Sequence, residues 1–167
     1  MNKKHHYNIT VEWTGNAGTG TSGYTAFERT HEITGRNKVT IPGSSDPAFR
    51  GDPARYNPEE FLLASLSACH MLWYLHLCSE AGILVTAYID EATGTMVETD
   101  KGGGRFEKAL LSPRITLKDI AMKDKAGKLH KEANGSCFIA NSVNFPVLHE
   151  PVFTEHLPDL HPREKMV

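Results

Sequence analysis

Residues 57–82, NPEEFLLASLSACHMLWYLHLCSEAG, contain the signals that decide the fold. Asn57 is a favourable N-cap residue, and Glu60, three positions later, completes a capping-box pattern. Pro58 suits the first position of a helix, and Gly82 stands where a helix of this length would end. The stretch therefore predicts one long helix whose two ends are both fixed by local sequence.

The predicted helix is apolar on nearly every side. Its large apolar residues are Phe61, Leu62, Leu63, Leu66, Met71, Leu72, Trp73, Leu75 and Leu77. A helix that is apolar all round is buried, and two histidines with several hydroxyls argue against a membrane span. We expect a core helix and no membrane partner. One sheet cannot cover every side of such a helix, so we predict a homodimer that buries the central helices.

Length and composition indicate an ordinary globular protein. A chain of 167 residues with 40% hydrophobic and 23% charged residues predicts a single domain over residues 1–167. The net charge of −2 gives no electrostatic reason to expect nucleic acid as a partner. The N-terminal residues MNKKHHYNIT lack the apolar run of a secretory signal, and three cysteines do not make a disulfide scaffold. We expect a cytoplasmic protein with reduced thiols.

The remaining chain predicts strands separated by loops and one further helix. Alternating or extended patterns predict strands at residues 7–13, 24–33, 37–41, 83–98, 105–117 and 146–149. The strand at 7–13 should be half-buried, and TDKGGGR at 99–105 should form a hairpin tip. Residues 118–134 predict an amphipathic helix stopped by Asn134-Gly135, after which Ser136 would cap a short helix beginning at Cys137. This segregated order indicates an α+β fold with antiparallel pairing.

The cysteines allow two redox pairs. Cys69 and Cys78 are nine residues apart on the predicted helix, a rise of ~13.5 Å that no disulfide can span. A redox pair would therefore be Cys69 with Cys137, or Cys78 with Cys137. Burial leaves a thiol inert unless a cation lies beside it. The candidate cations for Cys69 are Arg29, Arg50, Arg55 and His70. Cys137, at a predicted helix start, looks better placed for activation, so local physics alone does not select Cys69.

Two motifs resemble the OsmC/Ohr family, the osmotically inducible protein C and organic hydroperoxide resistance proteins. NPEEFLLASLSACH, residues 57–70, is similar to the family's signature, in which a glutamate precedes the reactive cysteine by ten residues, as Glu59 precedes Cys69. ANGSC, residues 133–137, occupies the place of the family's second cysteine. The resemblance covers most of residues 7–150, and the two motifs at this spacing are specific together.

The resemblance implies an OsmC-like α+β fold with antiparallel sheets wrapped around a long buried helix, assembled as an intertwined homodimer with sites at the subunit interface. It further implies that Cys69 is the peroxidatic thiol, that Cys137 is the resolving thiol, and that Glu59 holds an arginine which activates Cys69. The arginine corresponds either to Arg50, from the long loop before the helix, or to Arg29, from the first hairpin.

The implied reaction uses no cofactor. Cys69 thiolate attacks a small organic hydroperoxide and becomes a sulfenic acid, Cys137 condenses with it, and an external dithiol, such as a lipoylated protein, restores both thiols. We expect Leu66 and Trp73 to line an apolar pocket that favours organic hydroperoxides. The nine histidines show no metal-binding spacing, so we expect no metal site.

Helix geometry constrains the role of Glu59. Ten helical residues rise ~15 Å, so Glu59 and Cys69 of one straight helix cannot meet. Either the glutamate comes from the antiparallel helix of the partner, which we favour as a hypothesis, or the arginine bridges the gap.

Other interpretations of these residues remain open. We interpret Cys78 as a structural cysteine and His70 as a core histidine with satisfied hydrogen bonds. Cys69 could be an inert core cysteine, and Arg50 could pair with Asp52. As a whole, the protein could be a non-catalytic OsmC-like module that binds a hydrophobic small molecule at the dimer cleft. It could also be a thiol-dependent transferase or hydrolase, for which an acyl adduct on Cys69 would be diagnostic.

Overall fold

The computed structural model describes residues 3–100 and 102–155. The chain divides into two compact units, Met1–Leu62 and Leu63–Val167, which are described separately. A single domain over the whole chain therefore stays a prediction. Lys101 of the predicted hairpin tip and the Pro-rich tail after residue 155 lie outside the described residues.

Nine strands and two α-helices make up the described part of the chain. In order they are β1 (Thr10–Trp13), β2 (His31–Thr34), β3 (Ile41–Gly43), α1 (Pro58–Glu80), β4 (Val85–Asp90), β5 (Thr93–Thr99), β6 (Gly103–Leu111), β7 (Pro113–Leu117), α2 (Lys123–Ser136), β8 (Val147–His149) and β9 (Val152–Thr154). Short 3₁₀ helices lie at Pro47–Phe49, Ile120–Met122 and Ala140–Ser142.

The first unit contains a three-stranded antiparallel sheet in the order β1-β2-β3. Strand β1 is shorter than predicted, and all four of its residues are exposed in the single chain, including Val11 at 59%. The prediction that this strand is half-buried is therefore wrong for the chain alone. Strand β2 begins only at His31. Residues 24–26 turn, and the isolated bridge of Phe27 to Asn16 does not continue into a regular ladder before His31.

Helix α1 begins and ends where its sequence predicts. The Asn57 side-chain oxygen accepts from the Glu60 N–H at 2.8 Å, and the Glu60 carboxylate accepts from the Asn57 N–H at 2.9 Å, so the capping box is complete. At the other end Gly82 adopts φ 71°, and the Ile83 N–H donates to the Cys78 carbonyl at 2.8 Å. This left-handed glycine and the bond across it form a Schellman-type end.

Only one stripe of α1 is fully buried. Its members are Leu66, His70, Tyr74 and Cys78, spaced four residues apart. Tyr74 and Cys78 pack into a core with β7 and α2, whereas Leu72 is 63% exposed. Within the described residues α1 is also the helix whose length and composition would suffice to cross a membrane. The expected burial on all sides is therefore not reached by one chain.

The second unit contains two mixed sheets, in the orders β4-β7-β9 and β5-β6-β8. The pairs β4–β7 and β5–β6 are antiparallel, but β6–β8 and β7–β9 are parallel. The prediction of purely antiparallel pairing is wrong at these two pairs, because the connection through α2 is long enough to return the chain in the parallel direction. The predicted strand at 83–98 is interrupted after Asp90, and its halves join different sheets.

The end of α2 differs from the prediction in a way that matters for the thiols. Asn134-Gly135 does not stop the helix, which continues to Ser136, and Cys137 is its C-cap residue. The next helical turn starts only at Ala140. Cys137 therefore lies at the negative end of the α2 dipole and not at a helix N-terminus, so the expected dipole activation of this thiol is wrong.

Candidate functional site

The structure brings together the thiols of Cys69 and Cys137. Cys69 lies in the middle of α1 and is half-buried, whereas Cys137 at the end of α2 is fully buried. Their side chains are hydrogen-bonded, and both are free thiols. Of the two redox pairs that the sequence left open, only this one is in contact in the described residues. A partly solvent-accessible thiol is therefore in contact with a fully buried one.

Cys137 is held as a protonated thiol by its surroundings. Burial, together with the hydrogen bond to Cys69, raises the pKa of Cys137 to about 11, although the Ala140 N–H donates to its sulfur at 3.4 Å. A thiol with such a pKa keeps its proton at neutral pH, so Cys137 can donate in the hydrogen bond to the Cys69 sulfur.

The third cysteine is placed as a structural residue. Cys78 is buried, and its thiol interacts with the hydroxyl of Tyr74 one turn earlier on α1. Burial raises the pKa of Cys78, and its neighbourhood offers no second sulfur among the described residues.

Two aromatic residues lie close to the two cysteines along the chain. Trp73 lies one turn after Cys69 on α1, and Phe138 directly follows Cys137. Their rings meet edge to face, with centroids 5.9 Å apart, and Phe138 is 68% exposed. Leu66, which we expected to line a pocket, lies instead in the buried stripe of α1. The aromatic pair therefore lies within one helical turn of Cys69 and directly after Cys137 along the chain.

Asp90 anchors the cysteine-bearing part of α1, a role that the sequence did not indicate. Its carboxylate accepts from the hydroxyl of Ser67, two residues before Cys69, and from the Ser112 N–H at 2.7 Å. The carboxylate thus connects α1 with the ends of β4 and β6. Sequence inspection misses it because Ser67 and Asp90 are 23 residues apart and match no motif.

A group of three histidines lies in the same unit. His70 Nε2 is 2.9 Å from His130 Nδ1, and the ring of His149 lies beside both. Of these three histidines, only His70 was singled out from the sequence. In the described residues no group of three His, Cys, Asp or Glu side chains has a geometry that could hold a metal ion.

The predicted charged residues belong to the first unit. Glu59 lies in the first turn of α1. The Arg29 guanidinium donates to the carbonyls of Phe27 and Tyr24, at 2.5 and 2.8 Å, and lies over both of their rings. Arg29 is thus already engaged within its own hairpin.

Arg50 is presented by a tight turn. It adopts φ 68°, and its N–H donates to the Pro47 carbonyl at 3.0 Å. The alternative in which Arg50 pairs with Asp52 is not found, because Asp52 pairs with Arg55 at 3.4 Å. That Arg29 or Arg50 activates Cys69 stays a prediction.

Fold and site together define an α+β protein in which a long helix presents a half-buried thiol to a second, buried thiol. Residues 51–150 match the family model described as OsmC-like protein. The chain therefore belongs to the OsmC-like family, and the predicted membership and fold are confirmed. The match includes Glu59, Cys69 and Cys137, whereas Arg29 and Arg50 precede it.

Solved structures support the same conclusion. An OsmC-like protein of unknown function from Vibrio cholerae is 27% identical, with a TM-score of 0.80, over 89% of this chain and all of that one. Organic hydroperoxide resistance proteins from Elizabethkingia anophelis and Legionella pneumophila are 18% and 16% identical, each with a TM-score of 0.64. They cover 92% and 90% of this chain, and 100% and 99% of their own. No curated protein matches the sequence.

Proposed function

We propose that this protein is a thiol peroxidase that reduces organic hydroperoxides through Cys69 and Cys137. The observation that carries the proposal is the contact between a half-buried thiol and a fully buried one. Membership of the OsmC-like family supports it, as do the names of the two hydroperoxide resistance proteins with the same fold.

In the first step the Cys69 thiolate attacks the terminal oxygen of the hydroperoxide. An S–O bond forms while the O–O bond breaks, and the alkoxide leaves as an alcohol after taking up a proton. The sulfur loses two electrons and becomes a sulfenic acid, and the peroxide gains them. The half-buried position of Cys69 suits this role, because the substrate must reach its sulfur.

In the second step Cys137 resolves the sulfenic acid. The Cys137 sulfur attacks the Cys69 sulfur, an S–S bond replaces the S–O bond, and the hydroxide leaves as water with the proton of Cys137. The raised pKa of Cys137 keeps that proton available until it is needed, and burial protects this thiol from direct oxidation. An external dithiol, for which a lipoylated protein is a candidate, then reduces the disulfide and is itself oxidised.

Activation of Cys69 requires a positive charge, because its place in the middle of α1 is far from the helix N-terminus. We propose that Arg50 or Arg29 provides it and that Glu59 of a second copy orients the arginine. The apolar side chains that a single chain leaves exposed on α1, such as Leu72, support a homodimer that covers them.

The aromatic pair of Trp73 and Phe138 supports a preference for organic substrates. An apolar hydroperoxide gains free energy by covering these rings, whereas hydrogen peroxide has no apolar surface to bury.

The test is consumption of cumene hydroperoxide with dihydrolipoamide as reductant. We expect steady turnover by the wild type and one turnover by Cys137→Ser, after which dimedone traps a Cys69 sulfenic acid. Cys78→Ser is the matched control, since it removes an equally buried thiol without a sulfur partner.

Two results would contradict the proposal. Unchanged steady turnover by the Cys137→Ser variant would show that Cys137 does not resolve the Cys69 sulfenic acid. A wild type that retains an apolar ligand but consumes no peroxide would instead identify a binding module.

A further inference from the structure

Two buried histidines connect the helices that carry the two thiols. His70 on α1 and His130 on α2 are 1% and 0% exposed, and His70 Nε2 lies 2.9 Å from His130 Nδ1. Their rings are nearly parallel, with an interplanar angle of 10°. The proposed reaction uses neither imidazole.

The position of this bond relative to the cysteines is specific. His70 directly follows Cys69, and His130 precedes Cys137 by seven residues, which is close to two helical turns and places both on one side of α2. The bond therefore joins α1 beside the first thiol to the face of α2 that leads to the second. Any sliding of one helix along the other would have to break it.

The bond is costly to keep, which indicates a purpose beyond filling space. His70 Nδ1 and His130 Nε2 are buried and have no hydrogen-bond partner in the described residues. An apolar ring would fill the same space without that penalty. The ring of His130 already stacks on Tyr74 with 3.9 Å between centroids, so packing alone does not require a ring nitrogen. What the nitrogens add is a directional contact between α1 and α2.

We infer that the His70–His130 hydrogen bond is a positioning device that holds Cys69 and Cys137 at the separation needed for disulfide formation. The inference rests on the proposed function for its kinetic consequence, since it concerns the step in which Cys137 resolves oxidised Cys69. His70 and His130 contact each other, His149 and Tyr74. They act through helix placement and leave the attack on peroxide unaffected.

The bond needs at least one neutral imidazole as the acceptor, and the surroundings keep both rings neutral. Burial, with a smaller contribution from His149, lowers the pKa of His70 to about 4, and burial with the two other histidines lowers the pKa of His130 to about 3. The titratable groups that face the pair are His149 and Tyr74. Burial lowers the pKa of the first and raises that of the second, so both are uncharged near neutral pH. One ring nitrogen can then donate while the other accepts.

The test separates the two chemical steps in three variants. His130→Phe keeps an aromatic ring on Tyr74 but removes the ring nitrogens, and His130→Leu repeats the removal with a smaller side chain. His130→Asn places an amide near the position of Nδ1 and can restore the bond. Leu129→Ala is the control, because it weakens the same helix interface without touching the bond.

The first readout is rapid-quench mass spectrometry after one equivalent of cumene hydroperoxide. We expect the Phe and Leu variants to form the sulfenic acid at nearly the wild-type rate but to form the disulfide about tenfold more slowly or worse, as misplacement of reacting groups predicts. The Asn variant should recover most of that loss, and Leu129→Ala should resolve at nearly the wild-type rate. Unchanged resolution in both the Phe and Leu variants would overturn the inference, as would a loss in Leu129→Ala equal to theirs.

The second readout does not depend on peroxide chemistry. In a dithiothreitol redox buffer, loss of the bond should disfavour the Cys69–Cys137 disulfide about tenfold, equivalent to about 30 mV, and His130→Asn should restore it. The wild type could fail to consume peroxide while the disulfide equilibrium still shifts in the Phe and Leu variants and recovers in His130→Asn. That result would contradict the peroxidase function but support the positioning role. An equilibrium unchanged in the Phe and Leu variants overturns the positioning role.

Discussion

Two neighbouring stripes of α1 have different surroundings. One stripe, Leu66, His70, Tyr74 and Cys78, is buried in the core; the other, one residue earlier at Cys69 and Trp73, is half-buried and faces the second thiol and Phe138. Both contain a cysteine, but Cys69 contacts a thiol and Cys78 a phenol. Cys78 and Cys137 are both fully buried, yet only Cys137 contacts a second thiol, so burial alone does not distinguish these two cysteines.

The largest expected difference between the two stripes is seen when one cysteine is removed from each. Cys69→Ser should lower peroxide turnover by about a thousandfold or more, because the nucleophile is lost. Cys78→Ser should cost stability through burial of a hydroxyl, about 1–3 kcal/mol, while turnover per folded molecule stays close to the wild type. Steady-state turnover and urea unfolding measure the two effects, and equal loss of turnover in both variants would contradict the distinction.

Acidification should destabilise the fold through the histidine in the buried stripe. Because the folded-state pKa of His70 is about 4, below its ordinary value of 6.5, the unfolded chain binds more protons between these values. The free energy of unfolding should therefore be fully present above pH 6.5 and fall on acidification, by about 1.4 kcal/mol per pH unit for each such histidine. Urea unfolding between these pH values measures the slope.

The His130→Phe variant tests the same pH dependence of the unfolding free energy. His130→Phe removes one of the groups that is neutral in the folded state, since burial lowers the pKa of His130 to about 3. Its unfolding free energy should fall less steeply with acid than that of the wild type. Parallel slopes would show that these histidines do not titrate as described.

The half-buried stripe should control substrate choice. Trp73→Ala removes the ring that meets Phe138, so kcat/KM for cumene hydroperoxide should fall about tenfold through lost apolar contact. The value for hydrogen peroxide should change little, because this substrate does not depend on apolar contact. Equal losses for both peroxides would indicate that Trp73 only supports the fold.

The smallest expected effect lies at the start of the helix that both stripes share. Glu60→Ala removes the carboxylate that accepts from the Asn57 N–H and should cost about 1 kcal/mol of stability with little effect on turnover. Glu59→Ala is a useful contrast, since Glu59 does not belong to the capping box. If Glu59 instead orients the activating arginine, its loss should lower turnover more than stability.

Features that depend on neighbouring residues were predictable, and features that depend on distant ones were not. The capping box of Asn57 and the left-handed Gly82 follow from residues within one or two turns, so α1 was predicted with nearly correct ends. Strand β8 pairs in parallel with β6, strand β9 pairs in parallel with β7, and Ser67 contacts Asp90. Each of these contacts joins residues far apart in sequence, and no local pattern encodes them. The predicted dipole activation of Cys137 was wrong because α2 runs two residues further than its Asn-Gly signal indicates.

Short-range pattern and composition were enough to predict the long helix, the α+β class, the family and the two cysteine pairs that could be redox-active. The fold was needed to show that Cys69 and not Cys78 meets Cys137, that burial raises the pKa of Cys137, and that His70 is hydrogen-bonded to His130. The physical reason is that hydrogen bonding and desolvation act between atoms in contact, and the fold sets those contacts between residues up to 68 positions apart.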